Sequence, residues 1–108
     1  MKLVFAVINQ EDKAAVVQNL IDGGFESTWL STAGGFLGSR NVTMMTGVEE
    51  ARLDELIEII RVNCHSREQI ISSSASWQER EGGVGLPVKI KVGGATVFVA
   101  DAEQFWKL

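Results

Sequence analysis

Near its start the chain runs Lys2-Leu3-Val4-Phe5-Ala6-Val7-Ile8, a nearly continuous apolar stretch rich in β-branched side chains. That character predicts a central strand covered on both faces. Asn9 follows, with Asp12 at a capping-box position, and Glu11 and Asp12 suit the positive end of a helix. Val16, Val17, Leu20 and Ile21 then recur at helical spacing. Gly23-Gly24 ends that helix, because glycine tolerates the left-handed conformation of a C-terminal cap. Over residues 25–32 the period changes to two. Glu26, Thr28, Leu30 and Thr32 share one face, and Phe25, Ser27, Trp29 and Ser31 share the other. Residues 41–48 alternate again, with Val42, Met44, Thr46 and Val48 on one side. The two runs predict a β-hairpin whose enlarged, glycine-punctuated tip is residues 33–40.

Residues 49–64 carry the clearest helical signal. Leu53, Leu56, Ile57, Ile60 and Cys64 form a buried stripe, and early Glu49, Glu50 and Asp54 with late Arg61 agree with the helix dipole. After Gln69-Ile70-Ile71 the chain turns polar and serine-rich, and residues 72–86 read as a long loop. Pro87 opens a strand over 88–92, Gly93-Gly94 predicts a tight turn into a strand over 95–99, and Asp101 is placed to cap a last helical turn ending in Phe105, Trp106 and Leu108. The order is βαββαβ with an additional hairpin strand, an α+β ferredoxin-like sandwich in one domain, 1–108. Both helices fall on one face of an antiparallel sheet. The bare opposite face predicts a symmetric oligomer that buries sheet against sheet.

Composition sharpens this picture. Of 108 residues, 45% are hydrophobic and 11 are glycine; together they make roughly 55%, above the ~45–50% of an ordinary soluble domain. Disorder is excluded, and every apolar run is cut well short of the ~20 residues of a membrane span. Residues 2–8 have no cationic leader and no following cleavage signature, so they read as a strand rather than a signal peptide, and membrane insertion is not expected. The lone Cys64 suits a reducing cytoplasm. A net charge of −4 argues against a nucleic-acid polymer as partner, because such binding rests on Lys and Arg meeting phosphates.

The richest chemical candidate is the hairpin tip, Ala33-Gly34-Gly35-Phe36-Leu37-Gly38-Ser39-Arg40-Asn41. Its glycines leave backbone N–H groups able to curl around an anion. Phe36 and Leu37 are apolar at a loop tip, where an aromatic ring can stack on a purine. Asn41 carries an amide able to pair with the adenine edge, and Thr28 offers a phosphate its hydroxyl. The competing reading is a hairpin turn whose Phe36 packs on a neighbouring subunit, since a glycine-rich turn is a weak motif. Cys64-His65 invites a nucleophile or metal reading, but adjacent helical positions point about 100° apart, and no second His exists. Glu49, Glu50, Asp54, Glu55 and Glu58 read as a solvated helix face, and Trp77 with residues 78–81 as a ligand lid or a surface loop. No acid–base pair with catalytic geometry is visible, so an enzyme is not expected.

Taken together, Thr32-Ala33-Gly34-Gly35-Phe36-Leu37, Asn41, Gly47-Val48, Ser66-Arg67-Glu68-Gln69 and Val92-Gly93-Gly94-Ala95-Thr96-Val97-Phe98-Val99 resemble the PII-like cyclic-di-AMP receptor family. The likeness runs in register along the whole chain outside residues 72–86. It implies a PII-like homotrimer, with a cyclic di-AMP pocket at each subunit interface and loops that rearrange to signal to an unknown downstream protein. It implies a receptor rather than an enzyme, with no cofactor and no metal. Thr28, Gly35, Phe36, Leu37, Asn41 and Gly47 occupy ligand-contacting places of the family. Two departures stand out: Gly24 and Glu26 replace the Asn and Arg usual just before the ligand Thr, and Lys107 replaces a Gln near the C-terminus. An acid in place of a phosphate-binding cation turns attraction into repulsion, each term of order several kcal/mol at ~4 Å before screening. Glu26 therefore supports an alternative, a PII-like trimeric interaction protein that has lost or changed its nucleotide; Lys107 or Arg40 could supply a substitute cation.

Overall fold

A computed structural model of the chain describes residues 1–31, 41–72 and 87–108. The predicted hairpin tip, with Gly35, Phe36 and Leu37, and the Trp77 loop lie outside the described residues.

The chain is a small α+β protein. In order it forms β1 (Lys2–Asn9), α1 (Lys13–Asp22), β2 (Thr28–Ser31), β3 (Asn41–Val48), α2 (Leu53–Asn63), β4 (Arg67–Ser72), β5 (Pro87–Val92) and β6 (Ala95–Asp101), with a 3-10 turn leading into each helix. A four-stranded antiparallel sheet runs β2-β3-β1-β6. Each helical crossover skips one strand, so β3 lies between β1 and β2, and β1 lies between β3 and β6. That arrangement is compatible with a ferredoxin-like plan.

The core lies between the helices and one sheet face. Val4, Ala6 and Ile8 from β1 and Val42, Met44 and Val48 from β3 meet Val16 and Leu20 of α1 and Leu56 and Ile60 of α2. The alternation expected for residues 41–48 and the stripe expected for the second helix are both present. One expectation needs correction. β1 is buried on alternate residues, and Leu3, Phe5 and Val7 on its other face are half-buried, so among the described residues the strand is fully covered on one face. On that outer face Phe5 pairs with both Met45 and Phe98, and Val7 pairs with Thr43, which in turn pairs with Leu30. Phe98 is 59% exposed and Leu30 47%.

Two turn assignments also change. Gly93-Gly94 does not fold β5 back onto β6; it carries the chain from a separate two-stranded sheet, β4-β5, into the main sheet. Both glycines have positive φ, and a Cβ on Gly93 would fall 2.5 Å from the Arg67 guanidinium and the His65 carbonyl oxygen. The positive φ and the closeness of the His65 backbone carbonyl, which cannot swing aside as the Arg67 side chain can, are what require glycine there. Asp101 caps no helical turn: it ends β6 in an ion pair with Lys2, and residues 102–108 are irregular.

At the start of α1 the capping box is half realised. The Asn9 side-chain oxygen accepts from the Glu11 N–H at 2.8 Å. Asp12 instead turns inward, 8% exposed, and accepts from Arg67 Nη2 at 3.1 Å. Arg67 therefore ties the root of the β4-β5 sheet to the beginning of α1. No described helix is long and apolar enough to cross a membrane.

Two outcomes check this packing. Arg67→Ala leaves the Asp12 carboxylate without its cation and should cost about 1–3 kcal/mol in urea unfolding; an unchanged midpoint would mean that water already solvates Asp12. Cys64 is 2% exposed, and burial, reinforced by the Asp12 carboxylate, pushes its thiol up to about 11. The protonated thiol is unreactive, so at pH 8 iodoacetamide should label the native protein at least about 100-fold more slowly than the unfolded chain. Comparable rates would show that the thiol is neither buried nor held protonated.

Candidate functional site

The site is assembled from the end of α1 outward. Phe25 N–H donates to the Leu20 carbonyl at 2.8 Å and Gly24 N–H to the Ile21 carbonyl at 2.9 Å, with Gly24 at φ +78°. This is a Schellman cap, closed by packing of buried Phe25 and Leu20 in one core. The sequence dictates it: a glycine stands where the left-handed residue belongs, and an aromatic follows. Arg52, just before α2, locks the turn from outside. Its Nη2 donates to the Gly23 carbonyl at 2.6 Å, its guanidinium lies 4.0 Å from the centre of the Phe25 ring, and Glu55 accepts from its Nε and from the same Nη2.

The direction of the next residues is thereby set. Glu26 and Thr28 are exposed, while Trp29 packs against the core. Thr46, 4% exposed on β3, donates its hydroxyl to the Glu26 carbonyl, so the backbone of Glu26 is pinned to the sheet. Beside it Gly47 leaves room for the C-terminal segment: a Cβ there would meet Met1 Sδ at 3.3 Å and the Phe105 ring at 3.6 Å.

Between these elements opens a cleft of about 440 Å³ whose lining includes Leu3, Thr28, Met45, Gly47, Trp106 and Lys107. Its volume is within the ~300–1,000 Å³ range of small-molecule sites. Glu26 also lines it, and its carboxylate accepts from Lys107 Nζ at 3.0 and 3.3 Å. Trp106 is 74% exposed. The cleft thus offers a hydroxyl, an ammonium, an open aromatic face and a carboxylate. A second cleft, of about 300 Å³, lies on the other side of Glu26 and Lys107 and reaches Arg52.

Of the residues named from sequence, Thr28 and Gly47 meet in the larger cleft. Asn41 does not join them. It begins β3 opposite Asn9 and lines a smaller cleft of about 130 Å³ with Asn9, Gly94 and Thr96. Six strand positions separate it from Gly47, roughly 20 Å at the usual rise. Lys107, expected as a substitute cation, lines the cleft together with Phe105 and Trp106, which the sequence places only in a capped helical turn. The signal that could have found them is an aromatic pair beside a cation after the last strand. Among the described residues no group of three or more His, Cys, Asp or Glu gathers that could hold a metal; Cys64 is buried, and the adjacent His65 is exposed.

A family model described as cyclic-di-AMP receptor matches residues 1–108. The chain is also similar to a functionally unknown protein from Pediococcus pentosaceus, known from its crystal structure. The two are 38% identical with a TM-score of 0.75, over 99% of this chain and 96% of the other.

The pinning of Glu26 is open to test. Thr46→Val keeps the shape but leaves the Glu26 carbonyl without its donor, which should lower stability by about 1–3 kcal/mol. Thr46→Ser should recover most of it. Equal urea midpoints for all three proteins would mean that water satisfies that carbonyl.

Proposed function

The chain belongs to the cyclic-di-AMP receptor family, and on that premise we propose that it is a non-enzymatic signalling protein of the cytoplasm. The single unit 1–108 binds cyclic di-AMP, or a related adenine nucleotide, where subunits of a homotrimer meet. Loop rearrangement on binding then signals to a downstream protein. The observation that carries this reading is the cleft holding Thr28 and Gly47 at the margin of a sheet face on which Phe98 and Leu30 are exposed. Thr28 pairs with Met45 and Met45 with Phe5, so the cleft is continuous with the face on which Phe98 is exposed. A second copy covering that face would complete the cleft's open side. That Asn41 lines a different cleft from Thr28 within one chain supports the same reading, in which Asn41 and the tip residues Gly35, Phe36 and Leu37 would come to the nucleotide from the adjacent subunit. Thr28 and Lys107 would hold phosphate oxygens, and Phe36 and Trp106 would face adenine.

A specific feature favours a second reading. The Glu26 carboxylate lies in the cleft where a phosphate would approach. On this account the trimer has lost or changed its nucleotide and serves as an interaction protein.

Calorimetric titration with cyclic di-AMP, ATP and cyclic di-GMP, together with light scattering, decides between them. The receptor reading expects three times the mass of one chain, heat with cyclic di-AMP, and stabilisation of about 2.7 kcal/mol at a hundredfold excess over Kd. Phe36→Ala should weaken binding roughly tenfold or more, the loss of one stacked base. A trimer silent toward all three nucleotides that gains cyclic di-AMP binding on Glu26→Arg would establish the second reading. A monomer that binds none of them would overturn both.

A further inference from the structure

The two charged side chains of the larger cleft come from positions 81 residues apart and neutralise one another, Lys107 Nζ lying 3.0 Å from Glu26 Oε2. Both remain open to solvent, 71% for Lys107 and 84% for Glu26. A pair so exposed is weak, because water and salt screen it. A phosphate oxygen entering the cleft can therefore take the ammonium. The two partners differ in their freedom to respond. Glu26 is fixed at its backbone by the Thr46 hydroxyl and sits two residues after Gly24 of the capped turn. Lys107 belongs to the irregular C-terminal segment, next to an exposed Trp106. Any anion that reaches Lys107 must approach a carboxylate that cannot withdraw by moving its backbone.

We propose that Glu26 and Lys107 form a competitive anion latch: Lys107 is the cation that contacts a ligand phosphate, and Glu26 occupies its place in the empty cleft and sets the threshold for binding. The inference rests on the nucleotide-receptor reading and adds to it a gate made of this chain's own side chains. It makes a demand that a structural salt bridge does not. Removing the two partners must move affinity in opposite directions, whereas loss of a merely stabilising pair would move both the same way.

The test is calorimetric titration of cyclic di-AMP into the wild-type protein, Glu26→Gln, Lys107→Gln and Lys107→Arg, each checked for an unchanged melt. The latch expects Glu26→Gln to tighten binding by about fivefold or more, Lys107→Gln to weaken it by about tenfold, and Lys107→Arg to stay within about threefold of wild type. Binding by Glu26→Gln with none by wild type would support the latch in its strongest form, a pair that shuts the cleft. If the wild type binds and both neutral variants bind equally well, or shift together, the latch is wrong and the receptor reading stands. If no variant binds, both fall.

Discussion

The left-handed turn at Gly24 is the constraint on which the site depends. A helix that ended one residue earlier or later would rotate β2 by a face, sending Glu26 and Thr28 inward and Phe25 and Trp29 into solvent. The turn is fixed three ways: by the backbone bonds of the Schellman cap, by Phe25 packing against the core, and by Arg52 donating to the Gly23 carbonyl. Arg52 leads into α2, so the second helix holds the exit of the first. Glu26 and Thr28 of the cleft are thus carried on a backbone fixed by both helices, whereas Trp106 and Lys107 come from the irregular C-terminal segment.

The sheet gives the molecule two unlike faces. One is filled by the helices; the other shows an apolar surface, with Phe98 and Leu30 exposed on it. Thr28 stands on this second face, in the same cross-strand row as Met45, Phe5 and Phe98. In the proposed trimer, covering the face and completing the cleft would be one event, which would couple assembly to ligand binding in a direct physical way. The β4-β5 pair stands outside this sheet and is fastened at its root by Arg67 to Asp12, where Gly93 admits the guanidinium.

Much of this was legible in the order of residues. The periods of the strands and helices, the Gly23-Gly24 stop and the buried stripes of β3 and α2 follow from local spacing, because each is decided by neighbours within one or two turns. Thr28 was legible as a phosphate-facing hydroxyl from its place at a strand end as well as from family resemblance, Gly47 from resemblance alone, and the two line one cleft. The errors share one cause. Gly93-Gly94 reads as a tight turn between two strands, and spacing says nothing of the fact that those strands find different partners. Asp12 looks like a capping acid, yet Arg67 claims it from 55 positions away. Asp101 looks like a cap, yet Lys2 claims it from 99 positions away.

By itself, then, the sequence determined both helices and the strands of the main sheet, which face of α2 and β3 is apolar, where α1 must end, and to which family the chain is similar. Tertiary structure alone decided that Glu26 and Lys107 meet, that Phe105 lies over Gly47, and that Asn41 lines a different cleft from Thr28. The reason is physical. Periodicity records what a segment does with its own neighbours, whereas a charge or a hydroxyl has no period, and its partner is chosen only when the sheet brings distant ends of the chain together.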